Sequence, residues 1–127
     1  MRERRVPSYS FLYRFAAVIE LVTGVSLLVL PTLVMQLLFR SPPSAAGEQI
    51  TQLYGLALIG LGMACWANPC PTPAKRGLLI YNCAASILLI ALTFRELSGG
   101  VTVWLGTGVH LILSVFMIRD QLSKISF

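Results

Sequence analysis

The stretch Phe11-Leu-Tyr-Arg-Phe-Ala-Ala-Val-Ile-Glu-Leu-Val-Thr-Gly-Val-Ser-Leu-Leu-Val-Leu30 contains two charged side chains, Arg14 near its start and Glu20 in its middle. As a helix it is about 30 Å long, the thickness of a bilayer's hydrocarbon core. A carboxyl group at that depth is costly, so Glu20 needs a structural or functional reason. The only histidine, His110, sits in the same way in the last apolar run. Two more apolar segments lie between them. The expected spans are 11–30, 50–67, 77–94 and 101–118, each about 26 to 30 Å of helix. The chain therefore reads as all-α, an integral membrane four-helix bundle in which residues 1–127 form one membrane domain.

Composition supports the same solvent. Hydrophobic residues make up 56% of the 127, charged residues 12%, and mean hydropathy is +0.77, against roughly 25% charged residues in a soluble domain. So little polar surface cannot cover a water-soluble fold of this size. The connections are short, which favours antiparallel neighbours. A cleaved signal peptide, with Arg2-Glu3-Arg4-Arg5 as its basic region and Ser44-Ala45-Ala46 as its cleavage site, fits poorly. The apolar stretch is too long, carries Glu20, and ends well before Ser44.

Basic residues set the expected orientation. Arg2, Arg4, Arg5, Arg14, Lys75, Arg76, Arg119 and Lys124 fall on one side and Arg40 and Arg95 on the other, eight and two of the ten Lys and Arg. The positive-inside rule places both termini and the 68–76 loop in the cytoplasm of a bacterial inner membrane. The net charge of +5 is then a topology signal and an attraction to the lipid bilayer's anionic headgroups. No groove or helix combines basic and aromatic residues as nucleic-acid binding requires.

Boundary residues agree. Tyr9, Tyr13, Trp66, Tyr81 and Trp104 lie near expected span ends, in the aromatic belts. Pro31 ends the first helix, and 32–39 reads as a short interfacial helix or a bent continuation. Asn68-Pro-Cys-Pro-Thr-Pro73 is expected to be a stiff non-helical turn. Cys65, Cys70 and Cys83 read as small, reduced core residues, since their spacings match no metal site and a cytoplasmic thiol stays reduced. No metal and no cofactor is expected.

Helical spacing gives each span one polar or small stripe. These are Tyr13, Ala16, Ala17, Glu20, Thr23, Gly24 and Leu27 in the first; Thr51, Gly55, Leu58, Gly62 and Cys65 in the second; Asn82, Ala85, Ser86, Leu89 and Thr93 in the third; and Thr107, His110, Ser114 and Met117 in the fourth. Small residues allow the close backbone approach that helix pairs in lipid need. Glu20 and His110 fall level, about 13 and 12 Å from the inner ends of their helices, with Ser86 at about 13 Å and Asn82 at about 8 Å. A hydrogen-bonded cluster of Glu20, His110, Asn82 and Ser86 is thus expected. It serves either as helix glue, with the acid neutral or paired with the imidazole, or as a site for a proton or for the polar end of a lipid-like or aromatic ligand.

Tyr13-Arg14, Glu20, Gly24 and Pro31 in the first helix, Tyr54-Gly-Leu-Ala-Leu-Ile-Gly-Leu-Gly62 in the second, Tyr81-Asn82 in the third and His110-Leu-Ile-Leu in the fourth resemble the small four-helix bacterial inner-membrane proteins of the DoxX-like and related uncharacterised groups. That resemblance covers nearly the whole chain and implies an accessory role in a membrane redox or envelope system. Ala17-Val-Ile-Glu-Leu-Val-Thr-Gly24 resembles the first helix of small multidrug-resistance transporters, and there Glu20 would be the acid coupling proton exchange to transport. The charge bias, His110 and the proline-rich loop depart from that second pattern. No nucleophile with a base, aspartate pair or phosphate-cradling glycine loop supports catalysis, and haem ligation by His110 would need Met117 or another chain. The reading expected is a small accessory or binding subunit, with a membrane-protein partner or a second copy, and a proton-coupled transporter of cationic or lipophilic molecules is the alternative.

Overall fold

Pro31 divides the first hydrophobic region. Its ring disfavours helical geometry at the preceding residue, and Leu30 lies outside the helix at φ −128° and ψ 48°. In the computed structural model, which describes residues 9–95 and 100–125, α1 therefore runs Ser10–Val29 and α2 runs Pro31–Phe39. Proline suits the first turn of α2 because its missing N–H has no helical partner there. The helix ends at Arg40, whose N–H still bonds to the Gln36 carbonyl and whose left-handed backbone turns the chain out of the helix. Arg2, Arg4 and Arg5, three of the eight basic residues behind the expected orientation, lie outside the described residues.

Ser44 opens α3, Ala45–Ala64, by accepting a 3.1 Å hydrogen bond from the Gly47 N–H, a standard serine N-cap. This helix begins five residues before the expected span and ends three before it, because Cys65 to Ala67 turn away toward Asn68. Next, α4 runs Thr72–Phe94 and α5 runs Val101–Ile125. The expected non-helical stretch is corrected at its end. Thr72 and Pro73 belong to the first turn of α4, where proline costs no hydrogen bond.

The architecture is all-helical among the described residues, with five helices in place of the expected four-helix bundle. The fifth is the short α2, which lies between the first two long helices in the chain. Three helices, α1, α4 and α5, are long and apolar enough to cross a membrane. The long α3 is not among them, since Glu48, Gln49 and Gln52 fall in its first two turns.

The long helices pair as α1 with α3 and α4 with α5. The first pair approaches at glycine. A Cβ on Gly24 would lie 2.6 Å from the Gly55 carbonyl oxygen, and one on Gly55 would lie 2.6 Å from the Gly24 carbonyl oxygen. The small-residue stripes thus do what lipid-facing helices require. All five residues of the second stripe are buried, and so are all those of the first except Thr23. Tyr13, Ala16, Ala17, Cys65, Cys70, Ala74, Leu78, Leu113 and Met117 draw α1, α4 and α5 into one core with the α3–α4 turn. The outer faces are apolar too: Val22, Ile87 and Phe94 are 61%, 70% and 81% exposed, an arrangement suited to lipid and not to water.

One expectation is overturned in this core. Cys65 and Cys70 are joined as a disulfide, with Cα atoms 4.7 Å apart, while Cys83 is free. The reason is local, because the 65–70 turn folds tightly enough to bring the two cysteines within bonding range.

Candidate functional site

Four helices contribute polar side chains at the middle of the molecule. Glu20 faces inward from α1 between Ala17 and Gly24, the small neighbours that let α3 approach closely. It is fully buried, and neither carboxyl oxygen has a hydrogen-bond partner among the described residues. Burying a carboxyl group without a partner costs about 1–3 kcal/mol by mutational measure. From α3, the Tyr54 hydroxyl meets that of Tyr81 on α4 at 2.6 Å. Glu20 lies close enough for a charge on it to act on both phenols.

The His110 ring of α5 meets Tyr81 edge-on, with ring centroids 5.5 Å apart. Its Nδ1 lies 2.8 Å from Asn82 Oδ1. Asn82 is oriented by its own amide, which donates to the Leu78 carbonyl at 2.8 Å. The oxygen turned toward the imidazole can only accept, which assigns the proton to Nδ1. In the neutral ring Nε2 therefore carries the lone pair.

This geometry alters the expected cluster. His110 and Asn82 are joined directly. Ser86 donates to the Asn82 carbonyl at 2.8 Å, so its hydroxyl serves α4's backbone and not the imidazole. Glu20 makes no hydrogen bond to His110. The two tyrosines lie within its electrostatic reach instead, and Tyr81, expected in an interfacial belt, is the tenth residue of the 23-residue α4. A period of 3.6 from Asn82 and Ser86 could not assign Tyr81, because it sits at the flank of that stripe.

A second polar group lies nearer the α3–α4 turn. The Tyr13 hydroxyl donates to Asp120 Oδ2 at 2.7 Å, Lys124 Nζ contacts the same oxygen at 2.8 Å, and the Gln121 amide donates to Tyr13 at 3.3 Å. Lys75 places its ammonium 4.9 Å from the Tyr13 ring centroid. Sequence reading did not single out Asp120. Continuing the stripe Thr107, His110, Ser114 and Met117 by three residues reaches it, so the signal was present. These contacts tie the first helix to the last. Asp120→Ala should lower stability by about 1–3 kcal/mol, because it leaves the buried tyrosine hydroxyl with only its longer contact to Gln121. Thermal unfolding in detergent reads the loss.

No protein-family model, curated protein or solved structure matches the chain. The function must accordingly be argued from the site itself.

Proposed function

We propose that this chain is a polytopic protein of the bacterial inner membrane, with both termini in the cytoplasm. It acts there as a small, non-enzymatic accessory or binding subunit. In this reading α3 completes a fourth crossing, since it lies along α1 with glycine against glycine and buries Thr51. The observation that carries the binding role is Glu20, fully buried with both oxygens unpartnered and within electrostatic reach of the Tyr54–Tyr81 pair. A carboxyl group used only as glue would be hydrogen-bonded across the helices. One left without a partner suits a bound molecule's polar end, and the ligand's apolar part would lie among the surrounding side chains. His110 and Asn82 form the adjoining polar wall, with Ser86 supporting Asn82 through the backbone. Residence in a DoxX-like membrane assembly, beside a partner protein or a second copy, agrees with this role.

The test is mass spectrometry of the protein extracted in mild detergent. The reading expects a retained lipid-like or aromatic compound that is lost in Glu20→Gln, together with any stoichiometric protein partner. Retention unaffected by the substitution would remove Glu20 from the site. The same unpartnered carboxyl favours a second reading, proton-coupled transport of cationic or lipophilic molecules. Reconstituted vesicles distinguish the two, since pH-driven uptake that vanishes in Glu20→Gln belongs to a transporter and its absence in the folded protein to a binding subunit.

A further inference from the structure

We infer that Cys65 and Cys70 form a reversible thiol–disulfide clasp at the corner joining the two helix pairs. Cys65 follows the last residue of α3; its N–H bonds back to the Gly62 carbonyl and the Trp66 N–H to that of Met63. Cys70 lies two residues before α4, so the bond closes the only covalent connection between the α1–α3 and α4–α5 pairs. Its sulfur chemistry is asymmetric. The N-terminal end of α4 favours negative charge near Cys70, whereas the C-terminal end of α3 disfavours it near Cys65. Cys65 and Cys70 are 2% and 8% exposed, so a reductant meets the bond only when the turn opens, and Cys70 is then the better leaving group. Arg14, 5.4 Å from the centroid of the Trp66 ring, and Lys75 supply further positive charge around the turn.

Reversibility is inferred from one observation together with the orientation proposed above. The corner carries the cationic residues Arg14, Lys75 and Arg76, and under the orientation proposed above it faces the cytoplasm, where disulfides are transient and catalytic or sensing. Opening needs a dithiol reductant. Its first thiolate attacks one sulfur, the protein's Sγ–Sγ bond breaks, and a mixed disulfide forms as the other cysteine departs as a thiolate and takes a proton from water. The reductant's second thiol, giving up its proton, then displaces the remaining cysteine. Two electrons and two protons pass to the protein and the reductant becomes a disulfide. The reduced corner leaves α3 and α4 joined by the 65–71 backbone alone, without the cross-link that closes the turn.

The experiment uses the full chain in mild detergent. Samples are equilibrated with dithiothreitol or with its oxidised form under native conditions, quenched in acid, denatured, and treated with N-ethylmaleimide for intact-mass measurement. With three cysteines in the chain, the oxidised protein should bind one maleimide, at Cys83. The reduced protein should bind three, and the count should return to one when oxidised dithiothreitol replaces the reductant. Three maleimides under oxidising conditions would show that no bond forms. One maleimide after native reduction would show a sealed structural bond. Either result overturns the clasp. The thermal midpoint adds a second reading: reductant should lower it in the native sequence and leave it unmoved in the Cys65→Ser, Cys70→Ser double variant, and equal responses would also overturn the proposal. Neither measurement depends on what binds at Glu20.

Discussion

Gly55→Leu should abolish the folded protein, and Gly55→Ala should destabilise it by about 1–3 kcal/mol, the usual cost of forcing extra volume into a packed core. An alanine Cβ would meet backbone on the facing helix, with Gly24 O at 2.6 Å and Leu28 N at 3.0 Å. No rotamer change relieves such a contact, because the obstacles are not side chains. Alanine would ordinarily gain up to about 1 kcal/mol over glycine within a helix, so the loss expected at Gly55 runs against intrinsic propensity. Gly60 provides the control. It lies on the same helix with nothing within 4 Å of its added Cβ, and Gly60→Ala should hold or slightly raise stability. Thermal unfolding of the two variants in one detergent compares them directly. Equal midpoints would mean that α1 and α3 do not approach at these glycines.

That contrast shows what the sequence made legible. Gly55 and Gly62 were placed on an inward stripe by their spacing with Thr51 and Leu58, and all four are buried. Gly60 falls outside the stripe and is exposed. Periodicity reports a helix's inward face well because burial follows the helix's own geometry. It says less about which helix meets that face. Depth along the spans put Glu20 and His110 level, yet rotation around each axis decides contact, and the imidazole turned to Asn82 while the carboxyl stayed without a hydrogen-bond partner. The ends of helices were misread for a different reason. Proline reads as a barrier throughout 68–73, yet at the first turn of α4 it is tolerated. Compartment alone argues for reduced thiols, whereas the Cys65–Cys70 bond depends on the tightness of the 65–70 turn, which residue spacing does not give.

Glu20→Met should raise the thermal stability of the isolated protein while eliminating ligand retention. An unpartnered buried carboxyl group costs about 1–3 kcal/mol, and a methionine of similar length fills the same volume without that cost. Glu20→Gln keeps the shape and a polar head, so it should stay near the stability of the native sequence and still lose retention. The direction of the methionine effect separates the two accounts of this residue. Were Glu20 glue between helices, its removal would break cross-helix hydrogen bonds and lower the midpoint. The structure gives it no such bonds to lose, so the expected sign is upward. A protein that keeps a destabilising acid at its centre is trading stability for use. The Tyr54–Tyr81 pair and His110 supply the chemistry around it, with hydroxyls that both donate and accept and an imidazole whose free nitrogen is fixed by Asn82. A fall in midpoint for Glu20→Met, with ligand retention intact, would return Glu20 to a structural role and leave His110 and the tyrosines as the site to test.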